Sequence, residues 1–461
     1  MNRYKKLFNN SILFAIGNLG SKLITVIMVP FYTYILSTKQ FGDVDLITAT
    51  VNMLAPIISL SIFDAVLRFV MDKSEDKNSV LSNAIWVTLV GSIIFSIILI
   101  PIFHLIKFKY TNYLILILIT QVFQSIFSEY ARAEDRVKLF AANGILGTFV
   151  TAISNIVLMF IWKLGIDGYL VSIFVSSVVC IIFLIIKLKV WNIFDFHLIS
   201  KKQMKRMLVY SIPLIPNAFA WWATNTSNRY FIVFFIGISA NGLFAVANKV
   251  PSLLNMVNSI FFQSWQMSAI EEFESDSKEE YYSNIFLAYL QLLFICSLGI
   301  IAILKIFMKF FVSASYYSSW KLVPFLLISV IYSSLSSFLG TNYIAAKQTA
   351  GVMSTTIIGA ILNVVFCLIL IPVVGVNGAG IASAISFLII CILRLKDTRK
   401  FIHMKMPYKE IILDHIFFII QYMVLFIPVK LFVVEMLELS LFAIFVIINR
   451  KNIMRMVRKF I

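Results

Sequence analysis

Long apolar segments alternate with short polar ones along the whole chain. A membrane-spanning helix needs about 20 apolar residues, and such segments lie at residues 11–36, 43–67, 80–104, 110–131, 139–162, 166–190, 208–235, 240–266, 284–306, 320–345, 349–371, 376–395, 411–430 and 433–449. They lack the alternation in ten-residue units that is typical of a membrane β-barrel. The pattern predicts an all-α, polytopic membrane protein with about 14 transmembrane helices. The last segment is short and has Glu435 and Glu438 near its start, so twelve or thirteen helices are the alternatives.

Successive connections alternate in their content of lysine and arginine. Connections on the side of the N-terminus carry 28 of the 39 basic residues, and those on the other side carry 8. Since basic residues concentrate on the cytoplasmic side of a membrane, this bias predicts that both termini are cytoplasmic. The three remaining cations, Lys22, Arg229 and Lys249, lie inside apolar segments.

The composition excludes a soluble protein. Of the 461 residues, 60% are hydrophobic and 13% are charged, whereas soluble domains contain about 25% charged residues. The net charge of +17 follows from the cytoplasmic bias, so it predicts no nucleic-acid partner. We expect a multi-pass protein of a cell membrane, surrounded by membrane lipids.

An internal repeat divides the chain into similar parts. Residues 36–48 align with 236–249, and the glycine turn at 165–168 aligns with that at 375–378. Both copies begin on the same side of the membrane, which predicts a parallel repeat. We therefore predict three parts: an N-terminal lobe at 1–200 with helices 1–6, a C-terminal lobe at 201–395 with helices 7–12, and helices 13–14 with a basic cytoplasmic tail at 396–461.

Polar side chains form stripes on the helices that begin each lobe. Hydrogen bonding between membrane helices explains any one of these residues. Stripes on several helices together predict a shared polar cavity. Its candidate substrate-binding residues are Asn18, Lys22, Trp221, Asn225, Arg229, Asn248, Lys249 and Asn255.

The cations in these stripes indicate which ligand the cavity takes. A lysine or arginine at the centre of a membrane helix costs about 2.5–3.5 kcal/mol, so it is retained where water or an opposite charge receives it. Acidic residues at comparable depth are fewer. A cavity with net positive charge attracts an anion such as phosphate or pyrophosphate. Extension of the side chains to the membrane interface is the alternative.

Two acidic residues are candidates for ion coupling. Asp64 precedes Arg68 by four residues, which predicts a salt bridge between them. Glu129 and Arg132 lie near the predicted cytoplasmic surface. A structural role explains either acid equally well, so the pattern assigns no coupling ion.

Motifs for catalysis are missing from the sequence. The chain lacks a phosphate-binding loop and a dinucleotide-binding glycine pattern, and its four histidines are scattered. No His, Cys and Asp residues have metal-ligand spacing. Short outer connections argue against a membrane-embedded glycosyl or phosphoryl transferase. We predict a transporter that uses no cofactor and no metal, and not an enzyme.

Three segments carry a family resemblance: NVVFCLILIPVVGVNGAGIASAIS at 363–386, NGLFAVANKVPSLL at 241–254 and YARAEDRVKLFAANG at 130–144. Through them the chain resembles Wzx-type oligosaccharide flippases, in the polysaccharide-transport branch of the multidrug/oligosaccharidyl-lipid/polysaccharide exporter superfamily. The resemblance covers essentially the whole chain. Family members often carry Asp-Arg where this chain has Asn228-Arg229, so the acid is absent and the cation is kept.

The resemblance implies two six-helix lobes around a central cavity, with two extra helices, working by alternating access. Its implied cargo is an undecaprenyl-pyrophosphate-linked oligosaccharide, carried from the cytoplasmic to the outer face of a bacterial inner or plasma membrane. Expected partners are a glycan polymerase and glycosyltransferases. A flippase for lipid II or a teichoic acid precursor is one alternative, and a cation-coupled multidrug exporter is another.

Overall fold

The computed structural model describes residues 24–460, apart from residues 73, 106, 347 and 349. The described residues form α-helices joined by short connections and contain no strand. The first helices are α1 (Ile24–Ile35), α2 (Thr38–Ile58), α3 (Ile62–Val70), α4 (Lys77–Leu105), α5 (Thr111–Ala133), α6 (Val137–Asn155), α7 (Gly165–Leu188), α8 (Lys201–Ser211) and α9 (Ile215–Thr226). They are followed by α10 (Asn228–Phe235), α11 (Ile238–Ala247), α12 (Lys249–Glu272), α13 (Lys278–Ala302), α14 (Leu304–Phe311), α15 (Val323–Ala345), α16 (Ala350–Val374), α17 (Asn377–Thr398), α18 (Tyr408–Val424) and α19 (Leu431–Phe460). The prediction of an all-α protein is confirmed.

Ten helical segments of the described chain are long and apolar enough to cross a membrane. Helix α4 shows that the outer surfaces of these helices are apolar. Its most apolar stretch has a mean hydropathy of 2.5, and only 17% of that stretch is buried in the protein. Exposed side chains such as Ile94 and Ile97 make this surface stable in lipid and not in water. The protein is therefore a multi-pass membrane protein, and the count of 14 spans stays a prediction.

The chain divides into two compact units, of which the described part of the first extends to Trp222 and that of the second begins at Ala223. In the first unit, α5 packs against α3, α4, α6 and α7. Its core is formed by buried apolar side chains from α3, α4, α5, α7 and α8, among them Ile62, Leu81, Phe127, Leu184 and Met207. The predicted lobe boundaries at residues 200 and 395 stay a prediction.

In the second unit, helix α17 packs against α15 and α16, and α13 packs against α18 and α19. Aromatic side chains fill the space between α12, α13 and α15. Trp265 and Phe338 stack with ring centroids 4.4 Å apart, and both are fully buried. Tyr282 meets the Trp265 ring edge to face at 4.9 Å. Such stacked rings hold the three helices together through a large buried area.

The segment predicted as one helix at 43–67 is interrupted. Helix α2 ends at Ile58 and α3 begins at Ile62, because Leu60 and Ser61 adopt left-handed backbone angles (φ 51° and 50°). A left-handed residue cannot continue a right-handed helix. The interruption places the first turn of α3 in a new direction.

The two aligned glycine turns have the same local structure. Gly165 and Gly375 both have positive φ angles, 55° and 71°, a conformation that glycine adopts without steric cost. Three residues later, Gly168 and Gly378 pack closely on the backbone of the preceding helix, where a Cβ would lie 3.1 Å and 2.5 Å from the nearest backbone atom. This agreement supports the internal repeat, and the parallel orientation of the two copies stays a prediction.

Candidate functional site

The predicted seventh helix is interrupted beside its arginine. Instead of one helix, the structure has α8, α9 and α10 in succession. Pro213 removes a backbone donor at the first interruption. At the second, the Ser227 hydroxyl donates to the carbonyl oxygen of Ala223 at 2.6 Å, a type of bond that bends helices. Arg229 is consequently the second residue of α10.

Arg229 is half-buried and contacts an aromatic ring. Its guanidinium carbon lies 5.9 Å from the ring centroid of Phe244 on α11, and α10 packs against α11. A cation–π contact of this kind contributes about 0.5–1 kcal/mol at an exposed site. The contact restricts the direction of the arginine side chain relative to α11.

The predicted eighth helix is interrupted beside its lysine. Helix α11 ends at Ala247, and α12 begins at Lys249. Pro251 has no N–H to donate to the carbonyl of Ala247, so the helix opens at this point. Between the two helices, Asn248 donates through Nδ2 to the carbonyl oxygen of Phe244 at 2.9 Å. Phe244 thus contacts two of the predicted cavity residues, the asparagine through its carbonyl and the arginine through its ring.

Asn228 belongs to a buried hydrogen-bond network without charge. Its Nδ2 donates to the Ser383 hydroxyl at 2.8 Å, and its Oδ1 accepts the Cys367 thiol at 3.2 Å. Asn363 on α16 donates to the same hydroxyl at 3.1 Å. An aspartate at position 228 has no N–H, so it cannot donate to the Ser383 hydroxyl. The Asn-Arg pair of this chain therefore places Arg229 beside a neutral network that ties α10 to α16 and α17.

A similar network lies in the first unit. The Nδ2 of Asn155 donates to the Tyr32 hydroxyl at 3.0 Å, and both residues are buried. Asn155 is the last residue of α6 before a π-helical turn at Ile156–Ile161, a feature that is frequent at functional sites. Asn155 precedes the first glycine turn, and Asn363 precedes the second. The sequence alone does not reveal the partners of either asparagine.

The other predicted substrate-binding residues are Trp221, Asn225, Asn255, Asn18 and Lys22. Trp221 and Asn225 are exposed, one helical turn apart on α9, and therefore share a face. Asn255 is exposed on α12. Asn18 and Lys22 lie outside the described residues. The convergence of the predicted cations and asparagines on one cavity stays a prediction.

The two predicted coupling acids are neighbours, but their pairing differs from the expectation. Asp64 on α3 interacts electrostatically with Glu129 on α5, and the two helices pack together. The predicted bridge from Asp64 to Arg68 is wrong, because Arg68 pairs with Asp72 at 3.8 Å. Asp64 lies in the first turn of α3, against α5, whereas Arg68 lies in the last turn and reaches the connection to α4. Glu129 pairs with Arg132 at 3.5 Å.

A buried arginine lies outside the set of cations predicted to be inside the membrane. Arg394, counted above with the basic residues of the cytoplasmic connections, lies within α17 and is 3% exposed. Its guanidinium donates to the hydroxyls of Thr355 (2.9 Å) and Thr356 (3.0 Å) and to the carbonyl oxygen of Ser336 (2.8 Å). No salt bridge joins it to an acid within the described part of the chain. The leucine on each side of it was the available signal that the helix continues.

Comparison with known proteins identifies a family and a fold. The family described as polysaccharide biosynthesis protein matches residues 7–270, more than half of the chain. A search of curated proteins gave no match.

Several solved structures are similar along most of their length. The lipid II flippase MurJ in an inward closed conformation has a TM-score of 0.69 and 14% identity, over 97% of this chain and 99% of that chain. An inward-facing multidrug resistance MATE family transporter of the MOP superfamily has a TM-score of 0.67 and 14% identity, over 82% and 94%. A MOP superfamily transporter from Pyrococcus furiosus has a TM-score of 0.59 and 15% identity, over 87% and 96%. The fold is that of the MOP superfamily.

Proposed function

The chain belongs to the polysaccharide biosynthesis protein family, and on this premise we propose that it is a flippase for a lipid-linked oligosaccharide. The cargo is an undecaprenyl-pyrophosphate-linked repeat unit of a capsule, exopolysaccharide or O-antigen. It moves from the cytoplasmic to the outer face of a bacterial inner or plasma membrane. The observation that carries the proposal is the fold likeness, over nearly the whole of both chains, to a flippase whose own cargo is lipid II.

In this proposal, the diphosphate of the cargo binds to cations near the N-terminal ends of helices. Arg229 lies in the first turn of α10, and Lys249 is the first residue of α12. Because a helix N-terminus carries about half a positive charge, the backbone adds to the charge of both side chains. A guanidinium and an ammonium each form charge-assisted hydrogen bonds to phosphate oxygens. Lys22 is the third cation of the proposed site.

In this proposal, uncharged side chains bind the sugars of the cargo. The amides of Asn18, Asn225, Asn248 and Asn255 are suited to sugar hydroxyls because each has both donors and an acceptor. Trp221 offers a large flat surface for a sugar ring. In this proposal the lipid tail stays in the bilayer, so only the polar head crosses through the protein.

Transport proceeds by alternating access between two six-helix lobes. The excess of basic residues in alternate connections supports cytoplasmic termini. With that orientation, cytoplasmic glycosyltransferases supply the cargo, and a glycan polymerase at the outer face consumes it. Asp64 and Glu129 are the acids of the first unit that are candidates for ion coupling.

Two alternatives share the fold. A flippase for lipid II or a teichoic acid precursor handles an equally anionic head group, and the likeness to MurJ supports it too. A multidrug exporter for cationic compounds needs a carboxylate in its cavity, and a MATE transporter is also among the similar structures. The uncharged network of Asn228, at the position where family members often carry an acid, favours the anionic cargo.

Substitution of Arg229 tests the proposed function. Arg229→Gln is expected to abolish surface glycan export and to leave membrane insertion intact, since glutamine removes the charge and keeps a polar side chain at that position. Arg229→Lys, which keeps the charge, is expected to retain part of the activity. The matched control is Arg399→Gln, which removes an exposed guanidinium beyond the end of α17. Export is followed by cell-surface glycan staining, and insertion by fluorescence of a C-terminal reporter.

A reconstituted assay separates the cargo classes. Purified protein in liposomes is offered undecaprenyl-pyrophosphate-linked oligosaccharide, lipid II or a cationic dye. A glycosidase added outside reports which lipid-linked sugars have crossed. Movement of the dye without movement of either lipid, or normal glycan export by Arg229→Gln, contradicts the proposal.

A further inference from the structure

Helices α13, α18 and α19 of the second unit enclose buried acids that no cation neutralises. Asp414 on α18 is fully buried, and Nε2 of Gln291 on α13 donates to its Oδ2 at 2.9 Å. The second carboxyl oxygen of Asp414 and the amide oxygen of Gln291 have no hydrogen-bond partner among the described residues. A carboxylate that can only accept hydrogen bonds therefore lies beside an amide oxygen that also lacks a donor.

A second buried acid lies near a glutamine further along α18, but this glutamine contacts the backbone of the acid and not its carboxyl. Gln421 follows Asp414 by seven residues, about two helical turns, so it shares the same face. Its Nε2 donates to the backbone carbonyl of Glu438 on α19 at 3.2 Å. Glu438 is fully buried, and neither of its carboxyl oxygens has a partner within the described chain. The amide oxygen of Gln421 is likewise without a donor.

The charged groups around Glu438 are held by other contacts. Lys305 on α14 acts on Glu438 electrostatically, but its ammonium lies 4.4 Å above the ring centroid of Trp320. Glu435, on the same helix as Glu438, accepts the backbone N–H of Ile306 at 2.8 Å. Lys309 is exposed on α14.

The surroundings of Asp414 contain no cation within reach either. Glu410, one turn earlier on α18, repels its charge, and Lys409 is exposed. His415 is held by the Tyr332 hydroxyl, 2.8 Å from its Nε2. Helix α13 has no charged residue between Glu280 and its end, and its titratable groups there are Tyr281, Tyr282, Tyr289 and Cys296.

One proton at Asp414 supplies a donor for the amide oxygen of Gln291, and one proton at Glu438 removes the charge of a carboxyl that has no hydrogen-bond partner within the described chain. A protonated carboxyl donates through its O–H, and with a primary amide it forms two parallel hydrogen bonds, one in each direction. A buried ionised carboxylate without these bonds carries a large desolvation cost. A hard metal cation fits less well, because Ca²⁺, for example, takes about 6–8 oxygen ligands. The described residues contain no cluster of three or more His, Cys, Asp or Glu side chains.

We propose that Asp414 and Glu438 are proton-binding sites of the C-terminal helices. Each takes a proton from water and forms a carboxylic acid, whose O–H at Asp414 donates to the amide oxygen of Gln291, and each returns the proton to water. Buried acids carry protons in other membrane proteins as well. Coupling of this transfer to cargo movement rests on the proposed function.

Infrared spectroscopy of the purified protein tests proton binding by itself. At neutral pH the wild type is expected to show the carbonyl stretch of protonated carboxylic acids, shifted in D₂O. Asp414→Asn and Glu438→Gln are each expected to remove part of this band and to keep the melting temperature, since a neutral amide replaces a neutral acid. Glu280→Gln, at an exposed acid of α13, is the control that leaves the band unchanged. Absence of the band at neutral pH overturns the proposal.

Liposomes with an entrapped pH-sensitive dye test the link to transport. Addition of undecaprenyl-pyrophosphate-linked oligosaccharide is expected to change the internal pH with wild-type protein and to cause no change with Asp414→Asn or Glu438→Gln. Arg229→Gln is expected to lose the cargo-dependent change while it keeps the infrared band. If a double Asp414→Asn, Glu438→Gln variant shows the same cargo-dependent change in internal pH as the wild type, the coupling of these two acids to cargo movement is overturned. An infrared band in a wild type that moves no lipid-linked cargo overturns the proposed function and leaves proton binding supported.

Discussion

Arg394→Lys is expected to destabilise the second unit, because only a guanidinium matches the acceptors around this position. The arginine donates to two threonine hydroxyls on α16 and to a carbonyl oxygen on α15, at 2.8 to 3.0 Å. A lysine has one terminal nitrogen in place of the three guanidinium nitrogens that make these bonds. We therefore expect it to lose at least two of the three bonds. A hydrogen bond from a charged group contributes about 1.5–3 kcal/mol. Two lost bonds therefore lower the free energy of unfolding by about 3–6 kcal/mol.

The measurement is equilibrium unfolding in mixed micelles, followed by tryptophan fluorescence as denaturing detergent replaces mild detergent. Lys396→Arg, at an exposed position two residues away on α17, is the matched control and is expected to change the free energy by less than about 0.5 kcal/mol. Gly340→Ala adds a second test, since its Cβ lies 2.8 Å from an Arg394 guanidinium nitrogen.

The two substitutions are expected to be non-additive because they disturb the same hydrogen bonds. Gly340→Ala displaces the guanidinium in the wild type, and it has less to displace once position 394 is lysine. Equal stability of Arg394→Lys and the wild type would refute the reasoning. So would full additivity of the two substitutions.

Three further stability predictions concern the repeated turn, an open helical glycine and the neutral network. Gly378→Ala is expected to lower the free energy of unfolding by about 1–3 kcal/mol, because its Cβ lies 2.5 Å from backbone atoms of α16. Gly144→Ala, at an open helical position of α6, is expected to raise it by about 0.5–1 kcal/mol. Asn228→Asp is expected to cost about 1–3 kcal/mol, since the donor to Ser383 is lost. The same unfolding titration measures all three, and an unchanged Gly378→Ala or Asn228→Asp protein contradicts the corresponding packing or hydrogen-bond argument.

Proline and serine residues show how far local sequence signals reach. Pro213 and Pro251 lie where predicted single helices are interrupted, and their missing N–H groups are visible in the sequence. The bend at Ser227 is different, because serine interrupts a helix only where its hydroxyl bonds to the preceding turn. Hydropathy alone had therefore joined helices that the backbone separates.

The partners of buried polar groups were outside the reach of sequence reasoning. Asp414 and Gln291 are 123 residues apart in the chain, and Asn228 and Ser383 are 155 apart. A stripe of polar residues shows that a helix has a polar face, but it does not show which helix meets that face. The wrong pairing of Asp64 with Arg68 has the same origin, since spacing along one helix does not account for α5.

By itself, the sequence determined the multi-pass membrane character, the all-α class and the family. It did so because lipid accepts only backbone that bonds within itself, which makes runs of apolar residues decisive for a helix. The tertiary structure decided where those helices break and which buried polar atoms have hydrogen-bond partners. Arg394 and Asp414 show the reason: whether all polar atoms of a buried ionisable group have partners depends on residues brought close only by the packing of separate helices.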